Sequence, residues 1–163
     1  MRVVADTSPI NYLILLGHAE ILGLIYGEVL VPPAVITEMQ HPEAPPIVGL
    51  SATNPPPWIR KSELNHLDES LPVELGSGER EAISLALQVS ADVLLIDEFA
   101  GRRQAEARNL KVTGTLAVLL QASLLGYLEF PTELKRLIDS GFRVSPKVAA
   151  LMLSRSEEAD KQA

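Results

Sequence analysis

Short apolar runs alternate with longer stretches of helical periodicity along this chain. The runs at 2–5, 28–31 and 93–96 suit parallel strands that are covered on both faces. Between them, apolar residues recur every three or four positions, most clearly over 76–90, which predicts amphipathic helices. No internal repeat or low-complexity linker interrupts this alternation, so the pattern predicts one α/β domain.

The predicted elements fill the chain from end to end. A hydroxyl at Thr7 or Ser8 is expected to cap the first helix, and Ser77 or Gly78 is expected to cap the helix over 76–90. The predicted strands are 2–5, 28–31, 58–61, 93–96 and 111–113, and the predicted helices are 9–16, 18–26, 32–40, 47–52, 76–90, 98–109, 115–125, 132–140 and 145–154.

Two segments differ in character from the rest. Six of the 12 prolines fall within residues 42–57, and such a density excludes a long helix or a central strand. We expect a surface loop around one short helix there, followed by an edge strand at 58–61; a lid or a partner groove is the alternative. Residues 156–163 are polar and are expected to form a frayed tail behind a single domain at 1–155.

The charge balance is acidic, with 21 acidic and 14 basic residues, a net charge of −7 and a pI near 5.0. A general nucleic-acid-binding protein usually shows a basic footprint, but a metal-dependent nuclease tolerates acidity because its ion neutralises some carboxylates. The absence of cysteine excludes disulfides and thiolate zinc sites and favours a cytoplasmic location. The first apolar run is too short for a signal-peptide core, and no stretch is expected to span a membrane.

Four acidic residues stand at positions where a carboxylate calls for an explanation. Asp6 and Asp97 each directly follow a predicted buried strand, and the ligand crevice of an open α/β sheet lies at the carboxyl ends of its strands. Glu38 and Glu79 lie on or beside the apolar faces of their helices, where acids are rare unless they are paired or metal-bound. Because one helix, turn and strand separate Glu79 from Asp97, we expect these two to approach each other.

Convergence of these four carboxylates would favour a divalent cation, because otherwise they repel one another and resist ionising together. Mg²⁺ and Mn²⁺ prefer oxygen ligands, and such a site can activate a water for attack on a phosphodiester. Each acid also has a simpler interpretation that spacing leaves open. Asp6 and Asp97 suit turns or helix caps, Glu79 suits the positive end of a helix dipole, and Glu38 suits a solvated helix face.

Several stretches that contain these acids resemble the PIN-domain family, and within it the VapC-like branch of bacterial and archaeal proteins. They are MRVVADTSPINYLILLG, GEVLVPPAVITEM, and GSGEREAISLAL followed by ADVLLIDE. The segments KVTGTLAVLLQASLLG and GFRVSP extend the likeness over nearly the whole chain. The resemblance implies a three-layer α/β/α sandwich with a mainly parallel twisted sheet and a Mg²⁺- or Mn²⁺-dependent ribonuclease. It also implies frequent homodimers, many of them toxins held by a small antitoxin protein.

By this resemblance the metal-binding and catalytic acids of the family match four positions of the chain, which are Asp6, Glu38, Glu79 and Asp97. Ser8 matches the hydroxyl position after the first acid, and Thr115 matches a polar position near the site more loosely.

The chain departs from the family pattern at two places. The third acid is a glutamate, and Glu81 competes with Glu79 for the role, but Glu81 lies off the apolar stripe of its helix. Glu98, followed by Phe99, stands where many toxins carry another Asp. Glu98 therefore either joins a second metal or only caps the next helix.

Basic residues near these acids are candidates for contacts with RNA phosphates: Arg80 beside Glu79, and Arg102 and Arg103 on the helix after Asp97. Arg108 lies on the same predicted helix. The alternative for the last three is a solvated face that pairs with acids of its own helix.

The leading hypothesis is an endoribonuclease that is the toxin of a toxin–antitoxin pair and buries part of 10–16 and 21–25 in a homodimer. Packing of that apolar pair of helices within the monomer is the alternative. The competing hypotheses are a PIN-fold binding or regulatory module with weak catalysis, and a small-molecule phosphatase that uses the same acids.

Overall fold

The computed structural model describes residues 1–162 and contains a five-stranded sheet whose paired strands are all parallel. The strand order is β3-β2-β1-β4-β5, and Val4 on the central strand pairs with Leu30 on one side and Leu94 on the other. The strands are β1 (Val3–Ala5), β2 (Val29–Val31), β3 (Ile59–Lys61), β4 (Val93–Leu95) and β5 (Val112–Thr113).

The helices fall close to the predicted segments. They are α1 (Thr7–Leu15), α2 (Glu20–Tyr26), α3 (Pro33–Met39), α4 (Pro46–Thr53), α5 (Ser77–Gln88), α6 (Phe99–Glu106), α7 (Thr115–Leu124), α8 (Phe130–Asp139) and α9 (Pro146–Gln162). The prediction of a parallel α/β fold is confirmed.

Several helix ends differ from the prediction by one to a few residues, and three of them bear on its details. α1 begins at Thr7 with Asp6 as its N-cap, so its proline lies in the first turn and the predicted hydroxyl cap is wrong. α5 is capped by Gly76, one residue before the expected position. α9 continues to Gln162, beyond the predicted end at 154, while Ala163 lies outside the described residues. The frayed tail at 156–163 stays a prediction.

The core on one face of the sheet forms under α5. Val4, Leu94 and Ile96 alternate toward that face and pack with a buried stripe of α5 that includes Ile83 and Ala86. A strand places successive side chains on opposite faces and a helix places every third or fourth on one, so both periodicities meet in a single apolar cluster.

Helices cover both faces of the sheet. Crossovers between parallel strands are right-handed, so the β1-to-β2 connection with α1 and α2 lies on one face. The β3-to-β4 and β4-to-β5 connections, with α5 and α6, lie on the other face because the chain there runs in the opposite direction across the sheet. The result is the three-layer arrangement that the resemblance implies.

The chain divides into two compact units, residues 1–115 with the whole sheet and a second unit from Leu116 onward. A single domain over 1–155 stays a prediction. No helix within residues 1–162 combines the length and apolarity needed to cross a membrane.

The proline-rich segment 42–57 is mostly exposed around the short helix α4, as expected for a surface loop. Trp58 is buried, and a Cβ built on Gly23 of α2 would lie 2.9 Å from the Trp58 Cβ, so close packing against the helix requires glycine there. β3 lies at the edge of the sheet, as predicted. Most apolar residues of α1 and α2 are buried within the chain, which favours the monomer alternative for them, and Leu15 and Leu24 are exposed.

Candidate active site

Asp6 and Asp97 lie at the carboxyl ends of two neighbouring central strands. Asp6 follows β1 directly, and its backbone N–H donates a hydrogen bond of 2.9 Å to the Leu95 carbonyl at the end of β4. Asp97 follows the buried Ile96, which continues β4. Parallel pairing of β1 with β4 therefore brings the two acids to the same edge of the sheet.

Asp6 is the most deeply buried of the four acids, with 4% of its surface exposed. The pKa of its carboxyl is raised from 3.8 to about 7, chiefly by burial and in smaller part by the negative charges of Glu79, Glu38 and Asp97. A hydrogen bond from the Thr7 backbone acts in the opposite direction. The four acids therefore form one electrostatically coupled group around Asp6.

Glu38 joins the first turns of two helices. Its Oε1 accepts a hydrogen bond of 2.9 Å from the Gly78 N–H of α5, and its Oε2 accepts one from the Thr7 hydroxyl of α1. A carboxylate at the start of α5 also meets the positive end of the helix dipole. A Cβ built on Gly78 would lie 2.5 Å from Glu38 Oε2, so this close approach requires glycine.

Glu79 has one engaged oxygen and one oxygen without a partner. A hydrogen bond from the Gly76 backbone ties its carboxylate to the N-cap of α5, which is half of a capping box. Its Oε2 is buried and accepts no hydrogen bond from the described residues. Burial raises the pKa of Glu79, and the charges of Glu98 and Glu38 add to this.

The partnerless oxygen of Glu79 faces the first turn of α6. A Cβ built on Gly101 would lie 2.5 Å from Glu79 Oε2 and 2.7 Å from Ile96 Cδ1. Glycine at this position therefore leaves the oxygen in the space between α5 and α6.

Asp97 is oriented by Thr115. The Thr115 N–H donates to Asp97 Oδ1 and the Thr115 hydroxyl donates to Asp97 Oδ2, both at 2.7 Å. A Cβ built on Gly114 would lie 2.9 Å from both Asp97 Oδ1 and Arg102 Nη1. The carboxylate of Asp97 is thus held by the buried Thr115, and the Arg102 guanidinium approaches the same Gly114.

The remaining candidates lie around this group. Glu98 is exposed at the N-cap of α6 but makes no capping hydrogen bond with its side chain. Ser8 is half-buried in the first turn of α1. The Glu81 carboxylate accepts a hydrogen bond of 3.3 Å from the Ala34 N–H, which gives it a structural partner on α3.

Two neighbours of the acids were missed by the sequence interpretation. Thr7 was considered only as a helix cap, but its hydroxyl binds Glu38. The pKa of the Tyr12 hydroxyl is raised, chiefly by burial and in addition by the nearby negative charges of Asp97 and Glu98. The available signal for both was their place on the helix that follows Asp6.

The four arginines near the acids in sequence differ in their surroundings. Arg102 lies beside Asp97 and donates to the Ile96 carbonyl at 3.5 Å, and Arg80 has a buried Nε without a partner among the described residues. Arg103 is exposed and lies over the ring of Phe99. The predicted pairing of Arg108 within its own helix is wrong, because Arg108 pairs with Asp68 at 2.7 Å.

The chemistry of these donors fits a hard divalent cation. All four acids offer oxygen, as Mg²⁺ and Mn²⁺ prefer, and both the partnerless oxygen of Glu79 and the raised pKa of Asp6 indicate a shortage of positive charge. The carboxylates are not gathered in advance: within residues 1–162 no three acidic or histidine side chains are arranged to hold one metal ion. Joint coordination of one ion would require these side chains to move.

Comparison with protein families gives a match over nearly the whole chain. A family model, DUF3368, described as a PIN domain, matches residues 2–158. Comparisons with curated proteins and with solved structures give no significant match. Because the match spans far more than half of the chain, the protein belongs to the PIN-domain family, whose members are generally nucleases.

Proposed function

We propose that the protein is a divalent-metal-dependent endoribonuclease that hydrolyses RNA phosphodiesters, and that it acts as the toxin of a toxin–antitoxin pair. The observation that carries the proposal is the meeting of Asp6 and Asp97 at the carboxyl ends of the paired strands β1 and β4, with Glu38 and Glu79 near enough for their charges to act on Asp6. PIN-domain nucleases usually use divalent metals such as Mg²⁺. A cytoplasmic homodimer is part of the proposal, with Leu15 and Leu24 as its exposed apolar contacts.

The proposed ligands are Asp6, Glu38, Glu79 and Asp97. When bound, Mg²⁺ or Mn²⁺ would supply a Lewis acid and a water of lowered pKa for attack on the phosphorus. Asp6 holds a proton up to about pH 7 in the metal-free chain, so loading of the site is coupled to release of that proton.

The other residues orient these acids and bind the substrate. Thr115 fixes the carboxylate plane of Asp97 through two hydrogen bonds, and Thr7 fixes Glu38. Arg102 and Arg80 are the proposed contacts to phosphate oxygens. In support, Arg102 Nη1 and Asp97 Oδ1 lie close to the same glycine, Gly114, and Arg80 follows Glu79 and has an Nε without a partner among the described residues. Water attacks the phosphorus and gives up a proton to solvent or a carboxylate, the P–O bond to the leaving ribose oxygen breaks, and that oxygen takes up a proton from solvent, so that a phosphomonoester and a hydroxyl result.

A catalytically weak PIN-fold module that binds nucleic acid or regulates a partner is the second candidate. It is favoured by the hydrogen bonds that every carboxylate oxygen of Glu38 and Asp97 accepts, which tie these two acids to the starts of helices. In that case the two acids would act as helix caps and only Asp6 and Glu79 would remain for a cation.

The deciding experiment is calorimetric titration of Mn²⁺ into the wild type, Asp6→Asn and Asp97→Asn, followed by RNA cleavage with the same samples. Glu43→Gln is the matched control, because Glu43 is an exposed acid outside the site. Joint loss of binding and cleavage in both site variants supports the nuclease. Metal binding without cleavage by the wild type would support the binding module, and normal cleavage by either site variant would refute the site.

The toxin role is tested separately by expression in growing bacteria. Growth arrest by the wild type, relieved by Asp6→Asn, is expected. Unimpaired growth at equal protein levels would remove the toxin role while leaving the nuclease activity open to the cleavage assay.

A further inference from the structure

Phe99 is an exposed aromatic side chain directly beside the acids. It is 73% exposed, although it lies only two residues after Asp97. The guanidinium of Arg103 lies 5.6 Å from the ring centroid, which is cation–π distance. One face of the ring is thus supported by Arg103, while most of the rest of the side chain is open to solvent.

Phe99 and Arg103 form one wall of a cleft of about 380 Å³. The opposite wall is the segment 72–75, which runs into Gly76, the N-cap of the helix that carries Glu79. On the α6 side, Gly101 abuts the partnerless oxygen of Glu79. Both walls therefore adjoin residues that contact Glu79, which places the cleft next to the acid group.

The lining of this cleft suits a neutral, planar group better than a phosphate. Its walls are mainly apolar, through Pro72, Leu75 and Phe99, and its two charges are of opposite sign, through Glu74 and Arg103. Gln104 adds an amide whose oxygen is fixed by a hydrogen bond of 2.8 Å from Arg108. An aromatic face with a supporting guanidinium and a fixed amide matches what a nucleobase offers: a π-surface and a hydrogen-bonding edge.

We propose that this cleft is a base-binding subsite, in which Phe99 stacks on an unpaired base of the RNA next to the phosphate that is cleaved. The inference rests on the proposed nuclease function and adds to it a position that holds one unpaired base. A base inside a duplex is already stacked on its neighbours and does not enter the cleft.

The test compares Phe99→Ala and Phe99→Trp in an Asp6→Asn background, so that binding is measured without cleavage. The control is Leu50→Ala, a truncation of a comparably exposed apolar residue on α4. Fluorescence anisotropy with a labelled single-stranded oligonucleotide should show binding weakened roughly 5- to 150-fold by the alanine. The tryptophan variant and the Leu50 control should bind like the background protein.

A set of oligonucleotides with one abasic position each then separates stacking from other causes. At the position that occupies the cleft, loss of the base should weaken binding by the background protein, and Phe99→Ala should cause no further loss. This coupling is not expected from a variant that merely disturbs the fold.

Three outcomes would overturn the subsite. The first is unchanged RNA binding by Phe99→Ala although the wild type cleaves RNA. The second is weakened RNA binding by Phe99→Ala that is not coupled to the base at any position of the oligonucleotide. The third is unchanged RNA binding by Phe99→Ala together with loss of binding to a protein partner. Failure of the proposed function looks different, because the wild type would then neither cleave RNA nor bind the oligonucleotide.

Discussion

The four carboxylates of the candidate site fall into two pairs that differ in how their oxygens are satisfied. Glu38 and Asp97 accept hydrogen bonds on both oxygens. Asp6 and Glu79 are buried among like charges, have raised pKa values, and include an oxygen without a partner. We call Glu38 and Asp97 the held pair, because hydrogen bonds from the protein orient both of their carboxylates. We call Asp6 and Glu79 the open pair, because their negative charges are left to be neutralised by a bound cation or a proton.

This difference shows that a carboxylate is not free to bind a metal ion merely because it lies close to the other acids. The held pair stabilises the starts of α1, α5 and α7, whereas the open pair costs stability in the metal-free chain. The open pair should therefore respond to substitution in the opposite sense from the held pair, both in stability and in its response to metal.

The largest expected effect is that of Asp6→Asn. We expect RNA cleavage to fall by on the order of 10²–10³-fold or more, while the metal-free chain becomes more stable at neutral pH. Because the pKa of Asp6 is raised from 3.8 to about 7, folding is opposed increasingly as pH rises through that window. The gain in the free energy of unfolding should be absent below about pH 4 and reach up to a few kcal/mol above about pH 7.

Urea unfolding of both proteins in EDTA, at several pH values across that window, measures this gain. A variant less stable than the wild type at neutral pH would place Asp6 with the held pair and remove the contrast.

The comparison of Glu38→Gln with Glu79→Gln is expected to give opposite signs. The glutamine at 38 keeps only one good acceptor for the two donors Thr7 and Gly78, so we expect a loss of about 1–3 kcal/mol. The glutamine at 79 keeps an acceptor for Gly76 and removes a buried charge, so we expect a neutral or stabilising effect. Thermal unfolding of both variants without metal measures these changes in stability. Equal losses of stability in the two variants would mean that the two acids are equivalent.

Gly101→Ala presses directly on the open pair. The added Cβ would lie 2.5 Å from Glu79 Oε2 and 2.7 Å from Ile96 Cδ1, so we expect a loss of about 1–3 kcal/mol and weaker Mn²⁺ binding. Gly49→Ala on α4 is the control, because its nearest neighbour is 3.6 Å away. There, alanine should stabilise by about 0.4–1 kcal/mol. A destabilising Gly49→Ala would mean that helix packing in general, rather than Glu79, sets the cost.

Thr115→Val loosens one member of the held pair. It removes one of the two hydrogen bonds to Asp97 and leaves the backbone bond, so we expect about 1 kcal/mol less stability. Cleavage should fall through kcat more than through KM, because the misplaced carboxylate affects the reaction more than RNA binding. Rescue by Thr115→Ser is expected, and its failure would assign the effect to the buried methyl group.

The fold was predictable because it follows from patterning. The apolar runs before Asp6 and Asp97 identified the central strands β1 and β4, and parallel pairing then required the two acids to meet at one edge. The stripe on α5 likewise placed Glu79 next to the core. These inferences need only periodicity and the direction of the strands.

The details of the site were not predictable in the same way. Whether Thr7 or Ser8 reaches Glu38 depends on a two-residue shift in the start of α1, and helix boundaries are weakly specified by local sequence. Arg108 pairs with Asp68, which is 40 positions away in the chain, and no local sequence pattern predicts such a pair. The held pair and the open pair differ in whether hydrogen-bond donors reach their carboxylate oxygens, and this depends on tertiary packing.

The smallest expected effect concerns Asp68, which shows what a cation partner does to a carboxylate of this chain. Hydrogen bonds from Ser70 and Arg108 lower its pKa from 3.8 to about 2, the reverse of Asp6. Its stabilising contribution is therefore present above about pH 4 and is lost as the pH falls toward 2. Because the pair is partly exposed, we expect Asp68→Asn to cost less than about 1 kcal/mol at neutral pH. The cost should vanish near pH 2, as measured by urea unfolding. If Asp68→Asn instead stabilised the chain at neutral pH, as expected for Asp6→Asn, the presence of a partner would not be what separates the acids, and the division into held and open pairs would lose its physical basis.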